Sequence, residues 1–123
     1  MPSRGEYIKS MNYDLEQRTT KFSKELIALC RSITKSAYNQ NIISQVLRSG
    51  TSVGANYREA NGGISKKDFS NKIHICKKEA KETMYWLELL AESELGHKED
   101  ITALANECHE LTLIFSKIAF SSR

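Results

Sequence analysis

Apolar side chains in this 123-residue chain recur at steps of four and three, and no proline follows Pro2. The third of four such stretches keeps the alternation longest, from Phe69 through Ile73 and Cys76 to Leu90. Steps of four and three place apolar side chains on one stripe of an α-helix. Because a chain without internal proline has nothing to break long helices, the spacing predicts an all-α protein.

Four helices are predicted, from about Asp14 to Lys35, from about Asn41 to Asn61, from Ser65 to Gly96 and from about Glu99 to Phe120. Their short connections favour an antiparallel up-down-up-down four-helix bundle. An extended two-helix coiled coil is the alternative, which is disfavoured because glycines interrupt the pattern at bundle-like intervals. The bundle domain is predicted over residues 13–123. Residues 1–12 lack a sustained period and are predicted to form a flexible N-terminal arm.

Polar residues mark two of the predicted helix starts. Ser65 and Asp68 resemble a capping box, with Asp in place of the usual Glu or Gln. Asn39 and Asn41 are both candidates for the N-cap of the second helix.

Glycines occur inside and directly after the second helix. Gly50 and Gly54 lie four residues apart, and each costs roughly 1 kcal/mol relative to alanine in a helix interior. A neighbouring backbone that approaches closely would compensate for this cost, and a local kink is the alternative. Gly62 and Gly63 are predicted to end the helix by adopting the left-handed conformation.

The chain shows no pattern typical of a catalytic or metal centre. Di-metal bundles use Glu-x-x-His, and the segments that begin at Glu79 and Glu107 have no histidine in that register. Three cysteines without paired spacing favour a reduced, cytoplasmic chain, and no stretch approaches the ~20 apolar residues of a membrane span. No catalytic residue, metal or cofactor is therefore predicted, and an enzyme with a carboxylate site at Glu59, Glu79 and Glu82 is the weakest alternative.

Three polar side chains lie near the predicted inner helix faces. Asn56 falls between core positions of the second helix, and Glu59 and Glu82 lie close to inner faces of the second and third. Buried polar groups must be hydrogen-bonded, so these residues are predicted to form a structural network that sets the helix register.

Several large apolar residues lie outside the core stripes. A helix that is apolar most of the way round needs partners on more than one side. Self-association is therefore predicted, through Ile75, Met84, Trp86, Leu89 and Leu113.

Charge is divided unevenly along the chain. Residues 1–81 contain 15 Lys and Arg against 7 Asp and Glu, whereas residues 82–123 contain 3 against 8. Lys21, Lys24 and Arg31 contribute cations to the first helix. The predicted phosphate contacts all lie on the third helix: Lys66, Lys67, Lys72, Lys77, Lys78 and Lys81.

This charge pattern predicts binding to RNA or to a nucleoprotein partner through phosphate groups. Little base recognition is expected, because the exposed basic positions lack interleaved aromatic side chains. An ordinary solvated helix face is one alternative. A protein–protein scaffold without direct nucleic-acid binding is the other.

Two segments of the chain resemble a known family. The first is Ser49-x-x-Ser52-Val53-x-Ala55-Asn56-Tyr57-x-Glu59-Ala60, followed by Ser65-x-x-x-Phe69, and the second is Lys78-Glu79-Ala80-x-Glu82-Thr83-x-Tyr85-Trp86-Leu87. Together with the length and helix layout from about residue 14 onward, they resemble the four-helix-bundle proteins of the 23S rRNA intervening-sequence protein family. Many relatives carry glycine where this chain has Ala60, which leaves the subgroup open.

The resemblance implies a small cytoplasmic bacterial protein without enzymatic activity, often assembled as a ring-shaped homopentamer. Similar proteins act as accessory factors of diversity-generating retroelements, where a basic bundle surface contacts reverse transcriptase and nucleic acid. The partners that the resemblance implies are therefore further copies of the same chain and RNA or a reverse transcriptase-like nucleoprotein, with no membrane.

Overall fold

The computed structural model describes the backbone of residues 4–121 and the side chains of residues 15–121. It contains four α-helices and a short 3₁₀ turn, Leu95–His97, between the last two. The helices are α1 (Arg4–Ser32), α2 (Gln40–Asn61), α3 (Lys66–Ser93) and α4 (Lys98–Ser121). Each packs against its neighbours in sequence, and α1 also packs against α4. The predicted all-α class is confirmed, since residues 4–121 contain no strand.

The start of α1 differs from the prediction. The helix begins at Arg4 rather than near Asp14, so residues 4–12 of the predicted arm are helical. Elongation adds one hydrogen bond per residue and needs no apolar period, and no proline interrupts the chain after Pro2. Residues 1–3 lie outside the described residues, and flexibility of the arm stays a prediction.

The core consists of the stripes that the spacing predicted, although Phe69 at the start of the α3 stripe is only partly buried. Tyr57, Phe22 and Phe115 are its largest fully buried side chains. The rings of Tyr57 and Phe115 meet at a centroid distance of 5.8 Å with their planes tilted by 56°. All buried side-chain nitrogen and oxygen atoms in the described part of the chain have hydrogen-bond partners. None of the described helices is long and apolar enough to span a membrane.

The predicted end of α2 at Asn61 and the predicted cap of α3 at Ser65 are confirmed. The backbone conformation predicted for the glycines after α2 is not. Ser65 caps α3, and its side-chain oxygen accepts a hydrogen bond from the backbone N–H of Asp68 at 3.1 Å. Gly62 has a φ of −88°, and no described glycine adopts a positive φ. The prediction of a left-handed glycine is therefore wrong. The N–H groups of Gly62 and Gly63 instead bond back to Arg58 and Ala60 carbonyls, both at 3.1 Å.

Asn39 occupies the N-cap position of α2, as predicted, but its side chain makes no capping hydrogen bond; Asn41, the other candidate, lies inside the helix. Its side-chain oxygen accepts from the Ser36 N–H at 2.8 Å, and its amide nitrogen donates to the Thr34 carbonyl at 3.0 Å and to the Glu94 carboxylate. Asn39 is fully buried. It therefore joins the connection between α1 and α2 to the end of α3.

The helical glycines make room for neighbouring helices. A Cβ atom at Gly54 would lie 3.3 Å from Thr19 Cβ and 3.5 Å from its backbone carbonyl carbon, which confirms the predicted close approach. At Gly50 the neighbour is a side chain rather than backbone, because an added Cβ would overlap Leu26 Cδ2. Gly50 also lies against Thr83 of α3.

Burial suppresses ionisation in the core. Desolvation raises the pKa of the Cys76 and Cys108 thiols from 9.0 to about 12, and that of Tyr57 from 10.0 to about 12. Each thiol donates a hydrogen bond to a carbonyl of a neighbouring helix, Cys76 to Val53 at 3.5 Å and Cys108 to Ala80 at 3.2 Å. A protonated thiol is a weak nucleophile, and both thiols add a hydrogen bond between helices.

The packing at Gly50 predicts a measurable coupling. We expect Gly50→Ala to lower the free energy of unfolding by about 1–2 kcal/mol, since overpacking outweighs the gain in helix propensity. Leu26→Ala alone should cost about 2–5 kcal/mol. The double variant should cost less than the sum by at least about 0.5 kcal/mol, because removal of Leu26 Cδ2 relieves the overlap. Urea denaturation measures all three.

Gly96→Ala is the matched control, because nothing lies within 4 Å of its added Cβ. This variant should change the free energy of unfolding by less than about 0.5 kcal/mol. Strict additivity of Gly50→Ala and Leu26→Ala would contradict the proposed overlap.

The raised pKa values predict alkaline destabilisation. The unfolded chain loses the Cys76 and Cys108 protons near pH 9, whereas the folded chain keeps them until about pH 12. The unfolded state therefore binds fewer protons in this window, and the free energy of unfolding falls as the pH rises. Burial also raises the pKa of the Cys30 thiol, from 9.0 to about 11, so three thiols contribute in this window. The stabilisation from the three protonated thiols is fully present below pH 9, and we expect a loss of about 2–4 kcal/mol between pH 8 and pH 10, measured by urea denaturation. Cys108→Ala should flatten this dependence by about a third.

Candidate nucleic-acid interface

Five of the six predicted lysines share the outer face of α3. Successive helical residues are rotated by about 100°, which places these five within an arc of about 120°. Four of them are exposed and Lys77 is half-buried, and His74 is exposed on the same arc. We call this surface the lysine face: Lys66, Lys67, Lys77, Lys78 and Lys81.

Lys72 does not belong to the lysine face. It lies on the side of α3 that faces α2, where its Nζ atom is 2.5 Å from the Glu59 carboxylate. Its charge is thus already balanced within the bundle, and the structure separates it from the other five.

The lysines of this face have no ion-pair partner among the described residues. Lys66 and Lys67 stand in the first turn of α3, where the helix dipole disfavours positive charge. Lys77 and Lys81 are four residues apart, a spacing at which like charges repel. The face therefore opposes helix stability, and a stabilising role does not account for it.

The cations of α1 form a separate surface. Lys24 and Arg31 are exposed, and Lys21 lies 3.8 Å from Glu25. Helix α1 packs against α2 and α4, whereas it makes no direct helix-packing contact with α3 in the described part of the chain. The two basic faces therefore point to opposite sides of the bundle and cannot form one continuous track.

The predicted interface residues are only partly brought together. Ile75, Trp86 and Leu89 are half-buried on one side of α3, within an arc of about 60°. Met84 lies on the opposite side, where its sulfur accepts a hydrogen bond from the Thr112 hydroxyl at 3.8 Å. Leu113 is half-exposed on α4.

The three polar residues predicted to form one network are separated. Asn56 donates to the Ser52 carbonyl of its own helix at 2.8 Å. The Glu59 side chain is 60% exposed and pairs with Lys72, although the sequence pattern placed it near the inner face. Glu82 contacts Arg48 instead.

An ion-pair cluster joins α2 to α3, and no sequence pattern indicated its central residue, Arg48. The Arg48 guanidinium lies 3.3 Å from the Glu79 carboxylate and also contacts Glu82. The Trp86 indole N–H donates to Glu82 at 3.2 Å. Arg48 is exposed and lies outside the apolar stripe of α2. The one sequence signal that could have indicated this residue is its position directly before Ser49, where the first family-like segment begins.

Beneath this cluster, the hydroxyl groups of Ser49 and Thr83 are hydrogen-bonded at 2.8 Å, and both residues are fully buried. The two sequence segments noted above, one on α2 and one on α3, therefore meet side by side. This contact and the buried apolar stripe of α3 together orient the helix so that the lysine face points outward.

The described residues contain no group of three or more His, Cys, Asp or Glu side chains able to hold a metal ion. The most prominent chemical feature of the surface is the unbalanced positive charge of the lysine face. Such a surface attracts phosphate groups, because each contact releases a counterion from the nucleic acid.

Comparison with known proteins shows a family and a similar fold. The family described as 23S rRNA-intervening sequence protein matches residues 11–117 of the chain. A solved structure from Bacteroides thetaiotaomicron VPI-5482, a protein of unknown function in the S23 ribosomal protein family, is 36% identical. It superposes with a TM-score of 0.76 over 85% of this chain and 96% of that one. No curated protein matches the chain.

Proposed function

Because this chain belongs to the 23S rRNA-intervening sequence protein family, we propose that it is a non-enzymatic RNA-binding protein of the cytoplasm. The lysine face contacts RNA phosphates. One observation carries this proposal: five lysines on one exposed arc of α3 have no counter-charge among the described residues. Lys72, which the sequence pattern grouped with them, contributes little because Glu59 neutralises it.

The proposal includes assembly into a homo-oligomeric ring of antiparallel, up-down-up-down bundles, with five subunits as the family resemblance implies. Ile75, Trp86 and Leu89 supply the apolar contact between subunits, since they are half-buried on one side of α3. A ring repeats the lysine face once per subunit. Phosphate contacts that are weak singly then act together through a high effective concentration.

RNA binding should depend on the lysine face and on salt. We expect the affinity for a short RNA to fall steeply between 50 and 200 mM salt. Replacement of Lys67, Lys78 and Lys81 by glutamine should weaken binding at least about tenfold and lower the salt slope by about 2. Fluorescence anisotropy with labelled RNA measures both quantities.

The matched control replaces Lys21, Lys24 and Arg31 by glutamine, which changes the net charge equally on the opposite side of the bundle. This control should retain most of the affinity and the salt slope. Equal losses in the two variants would show an effect of net charge alone, and absence of RNA binding at 50 mM salt would favour a protein scaffold.

Self-association is tested independently of RNA. We expect light scattering to give a mass several times the 14.0 kDa of one chain at micromolar concentrations. Leu89→Glu places a charge in the apolar contact and should shift the mass towards 14.0 kDa with the helix content retained. A wild-type protein that remains at 14.0 kDa would contradict the ring.

A further inference from the structure

The lysine face ends in an exposed aromatic side chain. Tyr85 lies four residues after Lys81 and seven after Lys78, so it falls on the same arc of α3. Its side chain is 53% exposed. The sequence pattern indicated no aromatic residue among the exposed basic positions, whereas the structure places one at their C-terminal end.

The Tyr85 ring has an aromatic neighbour and borders a groove between α3 and α4. It packs edge-on against Trp86, with ring centroids 5.1 Å apart and planes at 66°. Trp86 is half-buried and is held by its hydrogen bond to Glu82. Tyr85 therefore packs against a defined aromatic neighbour and leaves about half of its side chain exposed to solvent.

The charge on this arc reverses beyond Tyr85. Glu88 and Glu92 follow on the outer side of α3, and both are exposed. Carboxylates repel phosphate groups, so the track that begins near Lys67 ends at Tyr85, about 27 Å further along the helix. Tyr85 thus lies at the point where a bound strand has to leave the protein surface.

We propose that the lysine face binds single-stranded RNA and that Tyr85 stacks on one unpaired base at the end of the track. Base–aromatic stacking tolerates any sequence, because every base has a π-face. The internal bases of a duplex cannot use such a ring, since they are stacked inside the helix. This inference rests on the proposed function. It adds that the RNA is single-stranded and that Tyr85 contacts one of its bases.

Three RNAs of equal length distinguish the contribution of base stacking from that of phosphate attraction. They are a single strand, the same strand with abasic positions, and a duplex. Tyr85→Leu should weaken binding of the intact strand about 5- to 100-fold and leave the salt slope unchanged. Tyr85→Phe keeps the stacking surface and should stay within about twofold. Binding of the abasic strand and of the duplex should be the same in both variants as in the wild type.

The variant in Lys67, Lys78 and Lys81 should weaken binding to all three RNAs, which distinguishes the two proposals. If Tyr85→Leu affects intact and abasic strands equally while that lysine variant still loses affinity, the stacking role is overturned and the lysine face stands. If the wild type binds none of the RNAs at 50 mM salt, both proposals fail. Circular dichroism of each variant verifies folding.

Discussion

Three helices meet at Gly50, and the rest of the bundle depends on how closely they approach there. The missing side chain leaves space that Leu26 of α1 occupies, and Thr83 of α3 lies against the same position. A core at native packing density tolerates little added volume, so a larger residue at this position would have to displace Leu26. Gly54 repeats the arrangement one turn later against Thr19.

Close approach at Gly50 brings polar groups of α2 and α3 into register. The buried hydroxyl pair of Ser49 and Thr83 forms next to it, and Arg48 reaches Glu79 and Glu82 above. Each hydroxyl also has a carbonyl acceptor in its own helix, Val46 for Ser49 and Glu79 for Thr83, so the pair adds one hydrogen bond between helices that rotation of α3 about its axis would break. The orientation of the outer lysines is thus a consequence of contacts on the opposite side of the same helix.

Helix α3 consequently carries different chemistry on each of its sides. Its inner stripe fills the core, one flank holds ion pairs with α2, and its outer arc carries lysines that lack a counter-charge among the described residues. The outer arc then changes from basic to acidic at Tyr85. The proposed RNA surface therefore needs no cavity, because phosphate contacts and base stacking both operate on an exposed helix face.

Local spacing in the sequence was sufficient for the four helices and nearly all of the core, because the 3.6-residue period is a property of each segment alone. It also predicted the Ser65 cap and the close approach at Gly54. The tertiary structure decided which neighbour each flank of a helix meets: it pairs Lys72 with Glu59, turns Met84 towards Thr112 and leaves Tyr85 at the end of the lysines. Those outcomes depend on how the helices rotate against one another. That rotation is set by contacts between residues far apart in the chain, which no local period encodes.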